Sequence, residues 1–125
     1  MPNPYRLGEV CQFVVKDNPE LRGKSGCWCI VSQVNEFSCI VMAWDGEYTL
    51  KVENLKSFDY SDADCEQMHK LSLRINKLRN SGKLEDVAKA NLKHLGEVKR
   101  PYLTPLEEKL LELLEQEYRL LPTDM

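Results

Sequence analysis

No apolar run in this chain approaches the roughly 20 residues of a membrane-spanning helix, which points away from a helical membrane protein. Histidine is scarce, with only His69 and His94. The sequence also lacks G-x-S-x-G, G-x-x-x-x-G-K-[ST], H-E-x-x-H and C-x-x-C patterns. Without a nucleophile beside a base, a phosphate cradle or a redox pair, the chain is read as non-enzymatic, with no cofactor and no small-molecule substrate. The N-terminal stretch MPNPYRLGEV lacks the basic start and continuous apolar core of a secretory signal, so a cytoplasmic location is expected. Five cysteines, an odd number at irregular spacings, then read as reduced thiols rather than a disulfide framework.

What is present is a chain of 125 residues, 42% hydrophobic and 30% charged, whose net charge of -3 is distributed in blocks. Residues 1–60 carry 6 basic and 8 acidic side chains, residues 61–103 carry 9 and 6, and residues 104–125 carry 2 and 6. The middle block is the basic one. Between residues 70 and 100 the nine Lys and Arg face only Glu85, Asp86 and Glu97.

The first 60 residues have strand chemistry: short runs rich in Val, Ile, Cys and aromatics, separated by turn residues. Strands are expected near Glu9 to Val15, Gly26 to Val34, Ser38 to Trp44 and Tyr48 to Val52, with a tight hairpin at Asp45-Gly46. Alternation places Trp28, Ile30 and Val34 on one face of the second strand, and Cys27, Cys29 and Val31 on the other. Both faces are apolar, as in a strand buried on both sides or covered by a helix. The thiols are expected on the helix side, near Cys65.

After Tyr60 the apolar period changes to that of helices, expected at residues 62–80, 84–95 and 105–121. Ser61 caps the first, and Asn80-Ser81-Gly82 ends it. Gly96 is expected to stop the second, with Pro101 in an extended connector. Thr104, Pro105 and Glu107 form the N-terminal signature of the third. Its apolar stripe is read as Leu106, Leu110, Leu113, Leu114, Tyr118 and Leu121, closed by Pro122.

Gly8-Glu9-Val10, the Gly23-Lys24-Ser25-Gly26 turn with the apolar strand that follows, Ile40 to Trp44, and Val52-Glu53-Asn54-Leu55 resemble SH3-like barrels of the KOW kind over about residues 6–58. The resemblance implies a barrel that binds RNA, DNA or protein through loops and exposed strand faces. The fold class expected is therefore α+β: a small antiparallel SH3-like β-barrel in residues 1–60, followed by a three-helix extension in residues 61–125.

Candidate sites follow from spacing. Lys70, Arg74 and Lys77 repeat at four and three, Lys89 and Lys93 at four, and Lys99 with Arg100 continues the charge; such a surface suits the phosphates of nucleic acid, DNA or RNA. The competing explanation is a solvated polar helix face, or pairing with the glutamates of the last helix. Trp44 flanks a turn where an exposed ring would offer a peptide or base-stacking surface. Leu110, Leu114 and Tyr118 would support a protein partner or a homodimer. Cys27, Cys29, Cys65 and His69 are a conceivable zinc set, against which stands the C-x-C in a regular strand, where the sulfurs spread instead of curling round an ion.

Overall fold

The computed structural model describes residues 3–118. Five strands come first: β1 (Val10–Phe13), β2 (Trp28–Val34), β3 (Ser38–Ala43), β4 (Gly46–Lys51) and β5 (Leu55–Ser57). Three helices follow: α1 (Asp62–Arg79), α2 (Asp86–Glu97) and α3 (Pro105–Glu117). The sheet is antiparallel throughout, in the order β4-β3-β2-β1-β5. This is an α+β arrangement, as the change of apolar period at Tyr60 requires. The sheet is not closed into the expected barrel: among the described residues β4 and β5 form its two edges. Among those residues, too, no helix is long and apolar enough to cross a membrane.

The turn before β2 follows from its glycines. Gly23 and Gly26 both have φ near +80°, a conformation that costs a Cβ-bearing residue dearly. The Gly26 amide then donates to Phe13 O at 3.2 Å and brings the chain onto β1. β5, which pairs Leu55 with Phe13, is too short to show an alternation of its own in the sequence.

β2 divides the interior into two cores. Trp28 and Ile30, with Val10 of β1, lie under the helices among Met68, Leu71, Ile75, Leu78, Leu92 and Leu95. Cys27, Cys29 and Val31 face the other way, with Cys11, Phe13, Cys39, Val41, Leu50 and Leu55. The thiols thus line the interior of the curled sheet and not the helix side, in a different core from Cys65. Val34 also changes sides: it packs with the Cys29 and Val31 core instead of joining Trp28. A register shift between Val31 and Gln33 in the β2–β3 pairing accounts for this, since one unmatched residue reverses the faces beyond it.

The starts of α1 and α3 are those expected, while α2 begins at Asp86, two residues later than its apolar period suggests. Ser61 Oγ accepts from the Asp64 amide at 3.1 Å, and Thr104 with Glu107 forms a complete reciprocal capping box. The end of α2 is different. Gly96 does not stop the helix but lies inside it, because a Cβ there would come within 2.2–2.6 Å of Trp44 Cδ1, Cγ and Cβ. The glycine is present for close approach rather than termination. One residue earlier, the Trp28 indole donates from Nε1 to Leu95 O at 2.7 Å.

The buried line of α3 is not the expected leucine stripe. Glu107, Leu111 and Glu115 are buried and Leu114 and Tyr118 half-buried, while Leu106, Leu110 and Leu113 are exposed. The helix is turned so that its buried carboxylates meet arginines. Leu121 and Pro122 lie outside the described residues.

Replacing Gly96 by alanine should lower stability by about 1–3 kcal/mol through overpacking against Trp44. Intrinsic helix propensity alone would favour alanine by about 1 kcal/mol. Urea denaturation of Gly96→Ala in the wild-type and Trp44→Ala backgrounds measures the coupling; an equal effect in both would mean that the indole is not responsible.

Candidate functional site

The basic residues of the middle block separate into two groups. Arg74 is held between two carboxylates of α3. Its Nε and Nη2 donate to Glu115 at 3.0 and 2.6 Å, and its Nη1 donates to both oxygens of Glu108 at 2.9 and 3.0 Å. The hydrogen bonds from Glu115 chiefly, then from Glu108, outweigh partial burial and raise its pKa. Arg100 is similarly committed: its Nη1 and Nη2 donate to Glu107 at 2.6 and 2.9 Å, and Nη1 also reaches Tyr102 O at 2.9 Å. Both are clamps between helical segments rather than open phosphate contacts, because a bidentate guanidinium–carboxylate pair occupies the donors that a phosphate would use.

Glu107 gathers three partners. Besides Arg100 it accepts from its capping partner, the Thr104 amide, at 2.8 Å, donates its own amide to Thr104 Oγ1, and lies 2.6 Å from His94 Nε2. The Arg100 hydrogen bonds, against the cost of burial and with help from Thr104 and His94, hold its carboxyl far below the ordinary carboxylate range.

Along α1, Lys70 makes only an exposed contact to Glu66 at 4.0 Å, of a kind worth about 0–1 kcal/mol. Lys77, exposed on the same helix, already has an interaction partner. The expected stripe of Lys70, Arg74 and Lys77 is therefore not a uniform open surface.

The other group surrounds α2. Lys89 and Lys93 are exposed one helical turn apart, with Lys83 before the helix and Lys99 after it. Among the described residues none of these four has an ion pair. The Lys99 ammonium approaches the Gly26 turn, where a Cβ would come within 3.2 Å of it. Lys93 lies close enough to Cys27 to counter part of the rise that burial imposes on that thiol, and Glu97 acts in the opposite sense. The α2 lysines thus lie along the seam between helix and sheet.

At the head of this seam is a cleft of about 230 Å³, lined by Trp44, Arg79, Lys83, Leu84, Lys89 and Leu92, with Gly82 in its rim. Arg79 is placed by Asn76, whose Oδ1 accepts from Nε at 3.1 Å and Nη2 at 3.0 Å. No acidic residue lines the cleft. Arg79 and Lys83 carry no spacing signal in the sequence, since they lie off the four-and-three stripe. Only the return of α2 beside the end of α1 brings them together with Lys89.

Trp44 is not an open stacking platform. It is half-buried, packs against Gly96, and has the Lys24 ammonium 4.9 Å from its ring centroid. Lys24 also sits 5.3 Å from the Tyr48 ring centroid and pairs with Asp45, whose Oδ2 accepts from Tyr48 OH at 2.9 Å. Burial disfavours that ammonium, but the hydrogen bond and charge of Asp45 prevail and raise its pKa. Of the other expected interaction residues, Leu110 is exposed, Leu114 packs at the edge of the helical core, and Tyr118 accepts through its hydroxyl from the Glu85 amide at 3.1 Å.

The conceivable zinc set is not brought together. Cys27 and Cys29 are buried in the sheet core, Cys65 edges the helical core and His69 is exposed. Among the described residues no three Cys, His, Asp or Glu side chains are placed to share a metal ion. Burial and the neighbouring thiols push Cys29 well above an ordinary thiol, which makes it a packing group rather than a nucleophile. No family model, curated protein or solved structure matches the chain.

The depressed Glu107 carboxyl has a definite pH signature. Its stabilising contribution is complete above its ordinary value of 4.5 and is lost as the pH falls from there toward the folded-state value. Glu107→Gln should be less stable than wild type at pH 7 and should lose less on going from pH 5 to pH 3. Thermal melts across that range check it; parallel curves for the two proteins would contradict the assignment.

Proposed function

We propose that the protein is a non-enzymatic binding module, an accessory or regulatory factor that associates with nucleic acid in the cytoplasm. Its sheet, open between β4 and β5, is taken as related to the SH3-like modules of the KOW type; it carries the helices and offers a protein-docking surface. The contacts to phosphate come from α2 and its flanks. The observation that supports this is the division of the cations: Arg74 and Arg100 are neutralised by α3, whereas Lys83, Lys89, Lys93 and Lys99 have no acidic partner among the described residues. The protein is acidic overall, at -3, yet these four lysines stand along one seam without an ion pair among the described residues.

Lys89, Lys93 and Lys99 neutralising three phosphates of a single strand predict a salt slope of about -2.1, or roughly a 20-fold loss of affinity between 50 and 200 mM salt. Fluorescence anisotropy with a labelled single-stranded oligonucleotide measures it. Lys89→Glu with Lys93→Glu should abolish most binding, while Lys70→Glu changes it little. Absence of binding at 50 mM salt would refute the reading.

A second reading, a protein-interaction adaptor that forms homodimers through α3, is favoured by Leu106, Leu110 and Leu113, which stand 66%, 40% and 50% exposed on one face. Sedimentation should then detect a concentration-dependent dimer that Leu106→Glu with Leu110→Glu converts to monomer. A wild-type monomer at all concentrations would dispose of this reading.

A further inference from the structure

The cleft at the head of the α2 seam differs from the seam itself. Along α2, Lys89 and Lys93 are separated by about 6 Å of helix rise and project from an open surface, an arrangement for successive phosphates on an extended strand. In the cleft, Arg79, Lys83 and Lys89 surround a single concavity whose remaining walls are Trp44, Leu84 and Leu92. The nearby Asp45 carboxylate is already paired with Lys24.

Size and charge together restrict the occupant. A volume of about 230 Å³ is below the usual range for a drug-sized ligand and takes a phosphate with its attached sugar, not a stack of bases or a duplex. Three cations around one such group exceed the need of a phosphodiester, which carries one negative charge. They suit a phosphomonoester, which carries about -1.5 to -2 at pH 7. The apolar walls also lower the local dielectric, which strengthens the attraction to the more highly charged group.

We propose that the cleft is an end-binding pocket for the terminal phosphomonoester of a single-stranded nucleic acid, with the following phosphates running along Lys89, Lys93 and Lys99. This rests on the polymer reading above and adds to it a specific chain end. A monoester exists only at a terminus, so the pocket sets where on a strand the protein binds. Lys83 carries the distinction, since it belongs to the cleft and not to the α2 track.

The test compares internally labelled 12-nucleotide single strands of one sequence bearing a 5′-phosphate, a 3′-phosphate or hydroxyls at both ends, by anisotropy at 150 mM salt. One phosphorylated end should bind about tenfold more tightly than the hydroxyl strand, the scale of one charge-assisted contact. Lys83→Gln, an exposed loop substitution, should reduce that preference to below about threefold while the weaker binding of the hydroxyl strand persists. Equal affinity for all three strands, still dependent on salt, would overturn the end pocket and leave the polymer reading standing; no binding of any strand would overturn both. A preference that survives Lys83→Gln, or tighter binding of a phosphoserine peptide than of every strand, would overturn the assignment of the cleft to a nucleic-acid terminus.

Discussion

The placement of α2 depends on two tryptophans that hold consecutive residues of its last turn. Trp28, from the middle of the sheet, donates its indole N–H to the Leu95 carbonyl, an otherwise unpaired acceptor at the end of the helix. Trp44, from the end of β3, fills the space that a side chain on residue 96 would need. One contact sets the height of the helix on the sheet and the other its distance. Together they place Lys89 beside Trp44 and Lys99 beside the Gly26 turn, and so determine both the seam and the cleft at its head.

The same anchoring explains the layout of charge. With α2 held on the sheet, α3 packs with Leu111 toward the shared core, and its glutamates fall against Arg74 from α1 and Arg100 from the connector. Burying carboxylates is tolerable because each is met by a guanidinium in hydrogen-bonding geometry. The acidic C-terminal block thereby neutralises the cations nearest to it. Lys24, the lysine of the turn before β2, is neutralised by Asp45 and covered by Trp44 and Tyr48. Within the basic middle block the lysines left without an ion pair are those of α2 and its flanks, so the proposed interface is defined as much by internal pairing as by where lysines occur in the sequence.

Much of the architecture was legible from local chemistry. Ser61 and the Thr104, Pro105, Glu107 signature mark helix starts because a cap satisfies amides within three residues of itself, and Asp45-Gly46 marks the β3–β4 hairpin for a similarly local reason. Errors arose where a residue answers to a distant neighbour. Gly96 has the composition of a stop but the role of a spacer for Trp44, 52 positions away in the chain. The leucines of α3 suggested the buried stripe, yet the ion pairs of Glu107 and Glu115 turned a different line inward. Val34 lies on the face opposite to the one that strict alternation predicts, because a bulge leaves no mark in an apolar pattern.

By itself the sequence determined the α+β class, the order of four of the five strands and the three helices, the starts of α1 and α3, and the location of excess positive charge between residues 70 and 100. Each of these rests on interactions within a few residues or on counts that folding does not change. The tertiary structure alone decided that the C-x-C thiols face the sheet interior, that Arg74 and Arg100 are clamps, and that Arg79, Lys83 and Lys89 share a cleft. These depend on which faces of separate elements meet. Charge pairing and cavity formation act over ångströms in space, and periodicity along the chain records only one partner of each contact.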